Sequence, residues 1–185
     1  MVDHRPRPPP RRASPPLARL VAAVAALSTL VGGLAACRGP TETAGGAAGS
    51  GPAVVTKDVD GDTVDVSIHG HHERVRLIGI DTPETKDPRK PVQCYGPEAS
   101  ARTAALLPVG TPVRLVRDEE ARDDYGRLLA YVFRARDGLL VNLELAREGA
   151  AVVLSIEPNT AYAPAIAAAV VGARAARLGL WGRCR

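Results

Sequence analysis

The stretch Asp60-Gly-Asp-Thr-Val-Asp-Val-Ser-Ile68-His-Gly-His-His-Glu-Arg-Val75-Arg-Leu-Ile-Gly-Ile80-Asp-Thr-Pro-Glu84 decides the fold. Val64, Val66 and Ile68 alternate with Asp65 and Ser67, and Val75, Leu77 and Gly79 alternate with Arg76 and Ile78. Successive side chains of a strand point to opposite faces, so this period of two predicts two strands, each with one apolar face. Polar His69-Gly-His-His72 between them makes the pair a hairpin, and the folded chain is expected to begin near Val54. The three histidines at the hairpin tip read as a surface cluster with no assigned role.

Beyond the hairpin, Pro97-Glu98 opens a helix that runs through Leu107, with proline tolerated in the first turn and Pro108 near the stop. Val113–Val116 and Leu128–Phe133 are two more strand candidates, and helices are expected at about 141–148 and 161–178. Several short strands, a helix, two strands and two helices fit a small α+β domain with a β barrel better than a βαβ repeat. There is no internal repeat. Aromatic residues are few, with Trp181, Phe133 and four tyrosines, so aliphatic side chains must build most of the core. Trp181 is expected to pack the C-terminal segment down.

Upstream, Arg5, Arg7, Arg11, Arg12 and Arg19 precede the apolar run Leu20–Val31, which is followed by Leu34-Ala-Ala-Cys37. A basic region, a short apolar run and small residues in that order predict an export signal over residues 1–36. The run is short for a bilayer span and is broken at Gly32-Gly33. Its ending resembles a bacterial lipobox, which would make Cys37 a lipidated N-terminus and anchor the protein to the outer face of the cell membrane. A cleaved signal followed by an incidental cysteine would instead leave it secreted, and an uncleaved anchor is the third reading. Residues 37–53, rich in glycine and alanine, have almost nothing to bury and read as a flexible tether to a domain at 54–185.

Removal of the leader changes the electrostatics. Of 24 basic and 20 acidic residues, the leader holds five and one, which leaves 19 of each. A generally basic surface is therefore excluded as the source of affinity for a polyanion. That affinity must come from locally placed arginines and a bound cation. Cys94 and Cys184 are the only other cysteines. In an exported chain two cysteines so far apart favour a disulfide, the alternative being a pair of thiols, and their spacing lacks the clustered ligands of a zinc site.

Three short stretches carry the chemistry: Asp60-Gly-Asp62, then Arg76 with Asp81-Thr-Pro-Glu84, then Asp124-Tyr-Gly-Arg127. Carboxylates that hold a hard cation, a further carboxylate that serves as a base, and arginines that grip a phosphate are the parts phosphodiester hydrolysis needs.

Val59-Asp-Gly-Asp-Thr63, Arg76-Leu-Ile-Gly-Ile-Asp-Thr-Pro-Glu84, Tyr95-Gly-Pro-Glu-Ala-Ser100 and Asp124-Tyr-Gly-Arg-Leu-Leu-Ala-Tyr131 together resemble the thermonuclease, or staphylococcal nuclease-like, family over about Val54 to Trp181. The resemblance implies a mainly β α+β fold, a five-stranded oligonucleotide-binding-type (OB) barrel with about three helices. It also implies a Ca2+-dependent endonuclease that hydrolyses DNA and RNA by in-line attack of water and leaves 3′-phosphate ends. On that resemblance Asp62 and Asp81 are the carboxylate ligands of Ca2+, Thr82 adds its backbone carbonyl, and Asp60 stands behind them near the ion. Glu84 matches the general base, although a free glutamate with a pKa of about 4.3 is a weak one at neutral pH. Arg76 and Arg127 match the two phosphate-contacting arginines, whose donors stay charged at any relevant pH. Tyr125, Lys86 and Lys90 are candidate substrate contacts, with Arg89 completing a basic lip on the same loop.

Two departures from the better-known family members bear on substrate choice. Val153-Leu-Ser-Ile156 lacks the tyrosines that stack a nucleobase there, and Asp124 stands where a lysine approaches a terminal phosphate. Base preference is left open while the chemistry at the scissile phosphate is not. The competing class is a noncatalytic binding module on the same barrel, which should have lost several of Asp62, Asp81, Glu84, Arg76 and Arg127. All five are present. No protein partner is expected, and the chain reads as a monomer.

Overall fold

The computed structural model describes residues 52–89 and 91–184. The export signal, Cys37, nearly all of the tether, and Lys90 lie outside the described residues. Strands β1 (Ala53–Asp60), β2 (Thr63–Ile68), β3 (His71–Leu77) and β4 (Gly79–Asp81) come first, followed by α1 (Gly96–Leu106), β5 (Pro112–Val116) and β6 (Leu128–Arg134). Helix α2 (Val141–Arg147), strand β7 (Val152–Leu154), helix α3 (Ala163–Ala175) and the single turn α4 (Leu180–Arg183) complete the chain.

Five strands close a barrel in the order β1-β2-β3-β6-β5, with β1 pairing back to β5, while β4 and β7 form a separate two-stranded sheet. This is the OB-type barrel. All its pairings are antiparallel except β3 with β6, where Arg76 is opposite Leu129 in parallel register. The expected hairpin is present, but its turn is only His69-Gly70, both at positive φ, and His71 and His72 pair within β3 opposite Ile68 and Ser67. Two-residue turns of that hand match the twist of the flanking strands, which is why the polar tip is shorter than its composition suggests. The second run, expected to continue through Gly79, instead breaks at Ile78, and Gly79–Asp81 turns off as β4 to pair with β7, whose three residues are too few to show a period. The C-terminal helix ends at Ala175, before Leu180 begins a short turn of its own.

The alternating valines build the barrel interior: Val55, Val64, Val66, Val75, Val113 and Val132 are essentially inaccessible, together with Leu77 and Tyr131. Burying each such aliphatic side chain stabilises by about 1.5–3 kcal/mol. Tyr131 donates to Asp118 Oδ2 at 3.2 Å, and burial pushes its phenol up to about 12, so the hydroxyl stays neutral. Its ring packs edge-on against Tyr162 at 4.5 Å between centroids, which docks the start of α3 on β6.

Buried Asn142, near the start of α2, fixes the bend between β3 and β4. Its Oδ1 accepts from Val132 N at 2.9 Å, and Nδ2 donates to Ile78 O at 2.9 Å and Ala130 O at 3.3 Å. Cys94 and Cys184 are joined by a disulfide with their Cα atoms 5.9 Å apart, tying the end of the chain to the segment ahead of α1.

Candidate active site

The β1–β2 turn, the end of β4 and the loop before β6 meet at one end of the barrel. Asp62 sits in the turn, buried, with Oδ2 accepting from Thr82 N at 3.0 Å and Thr82 Oγ1 at 3.2 Å, and Oδ1 accepting from Thr63 Oγ1 at 3.0 Å. Register explains its first neighbour: Thr63 pairs with Arg76 across β2 and β3, so the arginine emerges beside Asp62. Strand β4 then carries Asp81 to the same point, with its side chain 51% exposed.

Arg76 ties the two carboxylates together. Its Nη2 lies 3.2 Å from Asp62 Oδ2 and 2.9 Å from Asp81 Oδ1, while Nη1 donates to the carbonyls of Leu77 and Ile80 at 2.6 and 2.9 Å. The guanidinium is buried, and both terminal nitrogens are engaged by protein acceptors.

Arg127 is held differently. Asp123 Oδ2 accepts from its Nε at 2.7 Å and Asp123 Oδ1 from its backbone N–H at 2.9 Å, while no described residue takes its terminal nitrogens. Its guanidinium carbon stands 5.4 Å from the ring centre of Tyr125, which is 86% exposed. The pair presents a cation and a bare aromatic face to solvent.

Glu84 follows Thr82 and Pro83 and curls back on its own loop. Its Oε1 accepts the backbone N–H groups of Thr85, Lys86 and Asp87 at 2.9, 2.6 and 3.0 Å. These amides, chiefly that of Lys86, hold the carboxyl below its ordinary value, and a hydrogen bond shared with Asp60 acts in the same direction. Asp60 moves the other way, raised by burial against the opposing bonds from Thr85 Oγ1 and Gly61 N.

An open groove of about 1310 Å³ runs over this end, lined by every described candidate for catalysis, metal binding and substrate contact. Leu154, Ile156 and Asn159 also line it. The basic lip is weaker than its composition suggests, because Arg89 makes a two-point pair with Asp87 at 2.9 and 3.0 Å. Lys86 lines the groove.

Three residues that position the site carried no role in the sequence reading. Asp123 anchors Arg127, Thr85 holds Asp60, and buried Thr103 donates from α1 to Gly61 O at 2.5 Å, pinning the turn that carries Asp62. Only Asp123 had a signal: a short carboxylate heading the turn Asp123-Asp-Tyr-Gly-Arg127 is placed to cap its backbone N–H groups.

The family model for staphylococcal nuclease homologues matches residues 74–183. The chain belongs to this family. Among its curated relatives, the thermonuclease of Staphylococcus intermedius is 43% identical over 130 residues, covering 70% of this chain and 76% of that protein. The thermonuclease of Staphylococcus hyicus is 40% identical over 127 residues, with 69% and 73% covered. Endonuclease YncB of Bacillus subtilis (strain 168) is 41% identical over 127 residues, which span 68% of this chain and 59% of that protein. As a member of the staphylococcal nuclease homologue family, the chain carries its two arginines and its acidic residues on strand ends and the loops beside them, where the barrel can aim them.

Proposed function

We propose that the protein is a nuclease, specifically a Ca2+-dependent endonuclease that hydrolyses phosphodiester bonds of DNA and RNA and leaves 3′-phosphate ends. The observation that carries this reading is the convergence of Asp62 and Asp81 on one nitrogen of Arg76, in the same groove as Glu84 and Arg127. Family membership and the names of the relatives support the nuclease assignment.

The donor set fits calcium. Two carboxylates within 3.2 Å of one guanidinium nitrogen already surround a positive centre, and calcium takes hard oxygen ligands at flexible geometry. Among the described residues no group of three or more His, Cys, Asp or Glu side chains converges on a point, so the Thr82 carbonyl and water would complete the shell. Calcium bound there supplies Lewis-acid polarisation of a phosphoryl oxygen.

The chain's own residues do the rest. Arg127, anchored at Nε, offers its terminal nitrogens to the phosphate oxygens, and Arg76 offers Nη2 when Asp62 and Asp81 release it. Fixed donors of this kind stabilise the charge that spreads over the phosphoryl oxygens in the transition state. Glu84, its carboxylate held by the amides of Thr85, Lys86 and Asp87, aligns the attacking water. Water oxygen bonds to phosphorus and gives up a proton to solvent as the bond to the 5′-oxygen breaks and that oxygen takes a proton from solvent, which leaves the phosphate on the 3′ side. The ribose 2′-hydroxyl plays no part, so both DNA and RNA are substrates.

The proposal extends to the protein's address. Residues 1–36 direct export, lipid on Cys37 anchors the chain, and residues 37–53 tether a monomeric nuclease domain at 54–185 outside the cell membrane. Fatty-acid labelling of the exported protein should be abolished by Cys37→Ala, and unchanged labelling would remove the anchor.

Activity is tested by digesting single-stranded DNA with the protein in calcium, in chelator, and as Glu84→Gln. Cleavage by the wild type in calcium, with strong loss in the other two arms, is the expected result. Equal cleavage in all three would sink the mechanism.

A further inference from the structure

Gln93 grips the backbone of Glu84 on both sides. Its backbone N–H donates to the Glu84 carbonyl at 3.0 Å, and its side-chain Oε1 accepts from the Glu84 N–H at 2.9 Å. One residue therefore holds the peptide units before and after Glu84, which sets the direction in which that side chain leaves the main chain. The amides of Thr85, Lys86 and Asp87 bind the Glu84 carboxylate itself, so they shape the turn without fixing it to the barrel. Thr85 Oγ1, on Asp60, and Thr82 Oγ1, on Asp62, tie the loop to the β1–β2 end of the barrel through side chains.

Gln93 is in turn held from two directions. Its carbonyl accepts from Gly96 N at 3.0 Å, at the start of α1, and α1 packs on β1. The approach there is close: a Cβ on Gly96 would lie 2.6 Å from Thr85 Cγ2, 3.0 Å from Pro83 O and 3.2 Å from Glu84 O, so a larger residue would force these neighbours to shift. The next residue, Cys94, is bonded to Cys184, which follows α4. Gln93 and Cys94 are both exposed and belong to no part of the core, so core packing does not account for their placement.

We infer that Gln93 is a positioning residue for Glu84, and that the Cys94–Cys184 disulfide holds Gln93 in place, so that the C-terminal turn of the chain sets turnover at the groove. This rests on Glu84 acting in phosphodiester hydrolysis. Displacing a reacting group by about 1 Å can cost about 10²-fold in rate, so a clamp on its backbone bears on kcat with little bearing on substrate affinity or on global stability.

The test is steady-state kinetics on single-stranded DNA in calcium, with the melting temperature of each variant measured alongside. Gln93→Ala keeps the backbone bond and loses Oε1; kcat is expected to fall about 10-fold, with KM and melting temperature unchanged. Gln93→Glu keeps an acceptor and should recover most of the loss. In a Glu84→Gln background, adding Gln93→Ala should cost nothing more, because the residue it positions is already disabled. The double variant Cys94→Ser/Cys184→Ser, assayed well below its melting temperature, should lose kcat to a similar degree, with no further loss on adding Gln93→Ala. Dithiothreitol should lower wild-type kcat to the same level and leave the double-serine protein unaffected. It gives two electrons and two protons to the bridge, forming two thiols, and closes to its own cyclic disulfide.

Wild-type kcat in Gln93→Ala, beside a crippled Glu84→Gln, would overturn this inference and leave the proposed function standing. Losses from Gln93→Ala and Glu84→Gln that multiply would also overturn it, by placing the action of Gln93 elsewhere. Wild-type kcat in the double-serine variant would remove the disulfide from the account. Wild-type kcat in Glu84→Gln itself would instead defeat the proposed function, and the inference with it.

Discussion

Arg76 donates to Asp81 through Nη2 at 2.9 Å, and the same nitrogen stands 3.2 Å from Asp62. It is the internal counter-ion of the carboxylate pair, and a divalent cation entering between those carboxylates must compete with it. Removing the guanidinium as Arg76→Gln should therefore tighten calcium binding several-fold by titration calorimetry while turnover falls by about 10²-fold or more, since a transition-state donor is lost. Weaker calcium binding in this variant would show that Arg76 gathers the carboxylates and does not compete for them.

Tyr125 and Arg127 make a second measurable pair. The tyrosine stands free beside a guanidinium whose terminal nitrogens have no described partner, which suits it to a base next to a held phosphate. Stacking on an aromatic ring contributes about 1–3 kcal/mol per base. Tyr125→Ala should raise KM by about 10-fold with kcat retained, and an unchanged KM would assign the ring no contact with substrate.

Acid stability should depend on Asp65. Its carboxylate is 3% exposed and accepts from Arg74 Nε at 2.8 Å and Nη2 at 3.2 Å, with His72 Nε2 at 3.4 Å. Chiefly the Arg74 hydrogen bond holds its pKa below the ordinary value. Because the folded value lies below the unfolded one, its contribution is present above the unfolded pKa of about 3.9 and is lost as pH falls through the lower folded value. Urea unfolding at neutral pH and near pH 3 should show a smaller acid loss in Asp65→Asn than in the wild type. Arg74→Ala, which leaves the buried carboxylate short of a donor, should cost about 1–3 kcal/mol at neutral pH.

Asn142 is the polar residue on which barrel shape most depends. Replacing it with leucine leaves Val132 N, Ile78 O and Ala130 O without their side-chain partner in the interior. A loss of about 2–4 kcal/mol in urea unfolding is expected, since each orphaned buried group costs about 1–3 kcal/mol and neighbouring losses do not add in full. A stable, fully active Asn142→Leu would mean the bend between β3 and β4 holds without it.

Reducing the disulfide should be as costly as any single change. The bridge closes a sequence separation of 90 residues, for which loss of chain entropy in the unfolded state corresponds to about 4–5 kcal/mol. Denaturation of Cys94→Ser/Cys184→Ser should show a correspondingly lower midpoint.

The residues that were legible in the sequence share a property: each lies in an unbroken local pattern whose strand or turn decides where the side chain goes. Asp62 beside a hairpin, Asp81 at a strand end and Arg127 after Gly126 are of this kind. Residues that act through the main chain of a distant segment left no such mark. Asn142 spans 64 positions to Ile78, and Thr103 spans 42 to Gly61. Nothing in Val141-Asn-Leu or Ala101-Arg-Thr announces a partner. Charge was legible as a count but not as a pairing, so Arg89 reads as part of a basic lip while its guanidinium is already matched to Asp87.

The parallel pairing of β3 with β6 gives the barrel a further property. Arg76 lies within that pair and Arg127 immediately precedes it, some fifty positions apart in the chain, so the seam that closes the barrel also brings the second arginine to the first. Long-range pairings of this type form late, after the local hairpins. A newly made chain with β1 to β3 in place carries Asp62 and Arg76, while Asp81 waits for β4 to pair with β7 and Arg127 for β6. The full set of carboxylates and arginines therefore comes together only when the last seams close.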